Sequence, residues 1–161
     1  MDGELHLESK LDEGACFKLN FELEIDVSET AEVAIEEELD LPQRNILICE
    51  DNLVNQRILE MLLQKLNCKV SLANDGTEAL HQLMNHEFDL VFMDIQMPDL
   101  NGNDVTRKIH CDKPGFSTPI VALTASALQE DREECIAAGM KGFLSKPIRE
   151  QDLKVQLNKW L

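Results

Sequence analysis

The sequence contains no tyrosine, a single tryptophan and only 4% aromatic residues. Any sizeable core must therefore be aliphatic, and at 43% hydrophobic the chain has the material for one. No stretch approaches the roughly 20 consecutive apolar residues of a membrane-spanning helix, and no basic segment followed by an apolar one opens the chain. Bases are scarce: 15 Lys and Arg against 31 Asp and Glu give a formal charge of -16. That balance argues against nucleic acid, whose backbone is met by clustered Lys and Arg, and favours partners that are cationic, metal-bearing or weakly charged where they touch. The five cysteines (Cys16, Cys49, Cys68, Cys111, Cys135) are odd in number and show neither CxxC nor Cys/His spacing. A disulfide framework and a zinc site are both disfavoured, leaving reduced, mostly buried packing residues.

The acidity is uneven. Residues 1–43 carry 14 acids against Lys10 and Lys18, whereas residues 44–161 carry 17 acids and 13 bases. The opening "GELHLESKLDEGACFKLNFELEI" alternates apolar and polar residues on either side of a "DEG" turn, the pattern of a strand, turn and strand. An isolated hairpin is marginal in water, so this one has lost a parent sheet or borrows a surface. Residues 26–43 are rich in Glu and Asp and poor in bulky groups, as expected for a self-repelling linker ending near Pro42.

From Arg44 onward, short apolar runs alternate with helical periodicity. Strands are expected at 45–49, 68–73, 89–93, 119–124 and 142–145, and helices near 53–66, 76–85, 103–110, 127–137 and 150–160. The first, third and fourth of these strands are apolar on both faces, which fits a parallel sheet covered on each side. The fold class is thus α/β: a doubly wound, five-stranded parallel sandwich, since right-handed crossovers leave few other arrangements. In such sheets the chemistry gathers beyond the carboxyl ends of the strands. Those ends carry Glu50 and Asp51, then Asp94, Thr124, and Lys146 followed by Pro147.

Three carboxylates, a hydroxyl and an ammonium would then share one pocket. Carboxylates so close repel unless protonated or joined by a cation, and a hard, oxygen-preferring ion such as Mg2+ resolves the conflict. Lys146 and Thr124 are left to meet an incoming anion, which suits the pocket to a phosphoryl group. Taken singly, Glu50 and Asp51 read as turn or cap residues, Thr124 as an ordinary strand end and Lys146 as solvated surface; their joint appearance at four strand ends is what favours the chemical reading.

"CEDN" (49–52), "MDIQMPDLNG" (93–102), "ALTASA" (122–127) and "FLSKPI" (143–148) closely resemble, in order and spacing, the receiver domain of two-component response regulators. The resemblance covers residues 44–161 and implies a flavodoxin-like receiver fold. It makes Asp94 the phospho-acceptor, Glu50, Asp51 and Asp94 the side-chain ligands of Mg2+ (or Mn2+), and Gln96 the donor of a backbone carbonyl to the ion. Thr124 matches the switch hydroxyl, Lys146 the phosphate-pairing lysine and Phe143 the aromatic rotamer switch, while small Ala125 leaves the site open. The family often has two aspartates where this chain has Glu50 and Asp51, and often Tyr where it has Phe143, so any switch here would work by packing alone. The Lys146–Pro147 peptide resembles a bond that is often cis. By the same resemblance, Asp94 takes a phosphoryl group from a phosphohistidine, switches conformation or passes the group on, and assists its own phosphorylation and dephosphorylation.

Residues 1–25 resemble the final two strands of a histidine kinase ATP-binding domain, which in hybrid sensor histidine kinases precedes a linker and a receiver. Three parts are expected: a residual kinase hairpin at 1–25, an acidic linker at 26–43 and a receiver at 44–161. The nucleotide-binding motifs are absent, so the fragment should bind no ATP. With nothing after Leu161 in this sequence, no output domain is expected in it, which would fit either a relay intermediate or a piece cut from a longer protein; a cytoplasmic location is expected, with a parent that would suit an inner-membrane anchor. On the first helix, Leu59, Leu62, Leu63 and Leu66 make a core stripe, while Val54, Ile58 and Met61 make a second apolar stripe. That second stripe either packs on the last helix or the N-terminal strand, or docks a histidine phosphotransfer protein or histidine kinase dimerisation domain; no membrane contact is expected.

Three rivals are weaker. A haloacid dehalogenase-type phosphatase needs a second Asp two residues after its nucleophile, where Gln96 stands. An FMN carrier needs hydroxyls and N–H donors where "EDNLVNQ" offers carboxylates. A degenerate receiver acting only as a docking or regulatory module is the main alternative, and the full set of Glu50, Asp51, Asp94, Thr124 and Lys146 argues against it.

Overall fold

The computed structural model describes residues 3–10, 14–21, 43–125 and 129–161. Most of the expected linker, the turn at 11–13 and the 126–128 stretch lie outside them. Two separate units are present. In the first, β1 (Gly3–Lys10) pairs antiparallel with β2 (Gly14–Phe21), with Leu5 opposite Leu19 and Leu7 opposite Phe17.

The second unit alternates strand and helix five times: β3 (Asn45–Cys49), α1 (Leu53–Lys65), β4 (Lys69–Ala73), α2 (Gly76–Asn85), β5 (Leu90–Asp94), α3 (Gly102–Asp112), β6 (Ile120–Thr124), α4 (Gln129–Ala138), β7 (Gly142–Ser145) and α5 (Glu150–Trp160). All five strands are parallel, in the order β4-β3-β5-β6-β7. Alternate residues of the central strands bury opposite ways. Leu47, Val91, Met93, Ile120 and Ala122 join Ala79, Leu83, Val105, Ile109 and Cys135 of α2, α3 and α4 in one core. Ile46, Ile48, Phe92, Val121 and Leu123 join Leu59, Leu63, Leu153 and Leu157 of α1 and α5 in the other. Both layers are mainly aliphatic, with Phe92 the fully buried aromatic side chain among the described residues.

Local chemistry sets the ends of the elements. Asn52 caps α1, its Oδ1 accepting from the N–H groups of Val54 (3.0 Å) and Asn55 (3.2 Å). The helix closes with Asn67 at φ 58°, where the Cys68 N–H reaches back to the Leu63 carbonyl and the Asn67 N–H to that of Gln64. Gly102, at the start of α3, is dictated by contact: a Cβ there would lie 2.2 Å from the Asp94 carbonyl oxygen. The Pro and Gly loop after β5 thus folds back against the strand that precedes it, with the Gly102 N–H bonded to the Ile95 carbonyl. Cys49, Cys68 and Cys135 are buried free thiols and Cys111 is an exposed one.

Candidate functional site

The register of the sheet explains how distant residues meet. Cys49 pairs with Met93, so Glu50 stands beside Asp94; Asp94 pairs with Leu123, so Thr124 stands one step beyond; Thr124 pairs with Ser145, and Lys146 follows. Bonds at the rim fix these positions: Glu50 N–H to the Ala73 carbonyl (3.1 Å), Ile95 N–H to that of Leu123 (3.2 Å) and Lys146 N–H to that of Thr124 (2.7 Å). The site lies where the chain leaves β3 toward β4 on one side and returns at β5 on the other, the crevice that open α/β sheets reserve for ligands.

A cavity of about 330 Å3 opens there, lined by Glu50, Asp51, Asp94, Thr124, Ala125 and Lys146 together with Asn52, Asn55, Gln96 and Asp131. Glu50, Asp94 and Thr124 are buried, whereas Asp51 is exposed. One carboxylate oxygen each from Glu50, Asp51 and Asp94 falls within 4.8 Å of the others. The Lys146 ammonium lies 2.6 Å from Glu50 Oε2 and 2.6 Å from Asp94 Oδ2, following a cis Lys146–Pro147 peptide. In this arrangement the lysine acts as counter-ion to two carboxylates, whereas its place at the strand end suggests a partner for an incoming anion. Asp94 Oδ1 accepts from the Gln96 N–H at 3.1 Å.

Electrostatics show that the cluster is under-compensated. Burial raises the Asp94 carboxyl above its usual range, outweighing the hydrogen bonds from Lys146 and Gln96 that lower it, while the Glu50 charge adds to the rise. For Lys146, burial favours the neutral amine, but the hydrogen bonds and charges of Asp94 and Glu50 outweigh it and hold the ammonium above its ordinary pKa. Behind them, burial and then the charge of Glu78 push the Cys49 thiol far up, so it stays protonated. Three carboxylates facing one ammonium leave two negative charges unbalanced, and the donors are all hard oxygens. That set fits a divalent, oxygen-preferring cation.

Other residues were not singled out from the sequence. Asn55 and Gln56 contact Glu50 directly. Asp131 brings a further carboxylate to the cavity wall. The Arg132 guanidinium sits 4.0 Å from the centroid of the half-buried Phe143 ring, which packs against the α2–α4 core. The spacing of "NLVNQ" marks its second Asn and its Gln as first-turn residues of α1, but nothing in the sequence aims them at Glu50. Val54, Ile58 and Met61 are exposed on α1, which removes the reading in which they pack on the last helix.

A model of the response regulator receiver domain matches residues 46–158. Over 160 residues, 98% of this chain, the sequence is 35% identical to the autoinducer 2 sensor kinase/phosphatase LuxQ of Vibrio vulnificus, of which the match covers 19%. A crystal structure of the receiver domain of a Pseudomonas aeruginosa sensor histidine kinase, with a magnesium ion coordinated in its active-site cleft, shares 40% identity and a TM-score of 0.69 over 74% of this chain and 98% of that one. The receiver domain of Saccharomyces cerevisiae Ssk1, solved with the histidine phosphotransfer protein Ypd1, shares 32% identity and a TM-score of 0.67 over 74% of this chain and 89% of that one. The chain spans only part of such relatives: 19% of the length of LuxQ, 28% of the response regulator mcs4 of Schizosaccharomyces pombe and 7% of the hybrid signal transduction histidine kinase L of Dictyostelium discoideum.

Proposed function

Because the chain belongs to the response regulator receiver family and is thus a phosphorelay module, we propose that Asp94 is its phospho-acceptor, taking a phosphoryl group from a phosphohistidine in a Mg2+-dependent reaction. The observation that carries this reading is the single cluster of Glu50, Asp51 and Asp94 with Lys146 between two of its members. Glu50, Asp51 and Asp94, with the Gln96 carbonyl, would hold Mg2+ (or Mn2+), which when bound supplies charge neutralisation at the transferring phosphoryl oxygens.

The chain's own groups account for the rest. An Asp94 carboxylate oxygen attacks phosphorus in line, the P–N bond breaks with its electron pair going to the partner imidazole nitrogen, and that nitrogen takes up a proton from solvent as the acyl phosphate forms. Before attack, Lys146 must leave Asp94 Oδ2, and its ammonium is then placed to pair with a phosphoryl oxygen. Thr124, buried at the end of β6, supplies a hydroxyl toward the new dianion. Its movement would let Phe143 turn inward, which requires the Arg132 contact over the ring to yield.

The partner is a histidine phosphotransfer protein or a kinase dimerisation domain, docking on Val54, Ile58 and Met61, which are 67%, 50% and 51% exposed on α1. The structure of Ssk1 with Ypd1 supports the first of these. The hairpin at 1–25 is the end of a kinase ATPase domain, with residues 26–43 as linker and 44–161 as receiver. Support comes from the antiparallel register of β1 and β2 and from a match to a sensor kinase that runs through nearly the whole chain. The cytoplasmic placement of this fragment rests on its receiver family alone; among the described residues no helix is long and apolar enough to cross a membrane.

Incubation with acetyl phosphate and Mg2+, read by intact mass, tests the reading. The wild type should gain one phosphate, and both Asp94→Asn and wild type in EDTA should gain none. Phosphate on Asp94→Asn would overturn the assignment, and an unmodified wild type would favour the docking-only receiver. Ile58→Asp with Met61→Asp should slow transfer from a phosphohistidine protein about tenfold or more while leaving acetyl phosphate labelling unchanged; loss of both would mean misfolding.

A further inference from the structure

Glu50 is one methylene longer than the aspartate usual at its place, and its carboxylate needs holding. Two consecutive amides of α1 hold the residue, one at its carboxylate and one at its backbone carbonyl. Asn55 Nδ2 donates to Glu50 Oε1 at 3.0 Å. Gln56, buried at 6% exposure in the first turn of the helix, donates from Nε2 to the Glu50 carbonyl at 3.2 Å and to Asn74 Oδ1 at 3.1 Å. Asn74 in turn donates from its backbone N–H (2.8 Å) and from Nδ2 (2.9 Å) to Glu78 Oε2 on α2. A hydrogen-bonded chain thus runs from the metal-binding acid, through α1, to the loop after β4 and the start of α2. The first turn of α1 contains no acid, so its amides face the cluster without adding to its charge.

We infer that Asn55 and Gln56 are positioning residues for the cation site: Asn55 occupies one Glu50 oxygen and so turns the other toward the ion, while Gln56 fixes the backbone from which Glu50 projects. This deepens the function proposed above and rests on it. The oxygen left to the site is Oε2, the one Lys146 now holds at 2.6 Å, so a cation and Lys146 compete for the same atom and Asn55 keeps that atom presented. Losing a partner that orients a metal ligand from behind typically costs about 10–100-fold in metal affinity. A Glu50→Asp side chain would pull the carboxylate back by about a bond length, out of hydrogen-bond reach of Asn55.

The test is a calorimetric Mg2+ titration, with Mn2+ as a spectroscopic check, on folded apo protein. Asn55→Ala should weaken binding roughly tenfold and Gln56→Met, which keeps the buried volume, severalfold. In a Glu50→Asp background, Asn55→Ala should change affinity less than about twofold, so the pair shows coupling that a merely structural residue would not. If Asp51→Asn and Asp94→Asn weaken Mg2+ binding but Asn55→Ala does not, or if its effect persists unchanged in Glu50→Asp, the positioning role is wrong and the site stands. If none of these substitutions affects binding, the cation site itself is misplaced, and the inference falls with it.

Discussion

The two rims of the five-stranded sheet are built from similar residue types and do opposite things. At the amino rim, charges are satisfied locally: Asp89 Oδ2 accepts from the Asn45 N–H at 2.7 Å, Lys113 Nζ donates to the Leu83 carbonyl at 3.0 Å, and Thr118 Oγ1 donates to that of Phe88 at 3.0 Å. At the carboxyl rim, buried Glu50 and Asp94 share one ammonium and Asp94 is pushed above its usual range. At one rim charge is spent on holding the sheet together; at the other it is left unbalanced, as the proposed binding role requires. Unbalanced buried charge of this kind clusters at functional sites, whereas satisfied pairs mark closure of the sheet.

Matched substitutions at the two rims should separate those roles. The largest contrast is in rate: Lys146→Ala should slow acetyl phosphate labelling by about 10²-fold, the scale of losing one preorganised charge, while Lys113→Ala leaves the rate unchanged. Equal slowing by both would erase the distinction. Next comes stability. Mg2+ at about 100 times Kd should stabilise the wild type by about 2.7 kcal/mol, roughly 5–10 °C in melting midpoint. Asp89→Ala should lower the starting midpoint, costing about 1 kcal/mol, yet keep the full Mg2+ increment; Asp94→Asn should lose most of that increment.

A smaller effect concerns pH. A carboxyl whose folded pKa is raised disfavours the fold once ionised, so its penalty grows as pH rises through the ordinary carboxylate range and is absent below it. In EDTA at neutral pH, Asp94→Asn should therefore melt slightly above wild type, and the gap should close as the solution is acidified below about pH 4. A variant that melts below wild type at neutral pH would show that the Lys146 pairing outweighs burial.

Much of this was readable in the sequence, for identifiable reasons. Apolar runs such as "NILIC" and "DLVFM" have one stable use in an alternating α/β chain, and polar residues closing them land on one rim whatever the strand order. The order β4-β3-β5-β6-β7 was not readable, because edge and centre differ only in degree: β4 and β7 carry partly exposed Val70, Leu72 and Phe143 where the apolar residues of the central strands are buried. Asn55, Gln56 and Asp131 escaped notice because each lies on a helix among other polar residues, and its aim depends on how that helix sits against the sheet. Arg132 escaped for the same reason, since its contact with Phe143 joins α4 to β7 through side chains alone.

We propose that the acidic cluster readies one oxygen, on Asp94, to take phosphorus. Its most direct test is reductive trapping: protein treated with acetyl phosphate and Mg2+, then with borohydride, is cleaved and its peptides sequenced by mass spectrometry. Homoserine should replace aspartate at position 94 alone, and only when the divalent ion was present. Homoserine at Asp51 or Asp131, or trapping that does not depend on the ion, would contradict the account.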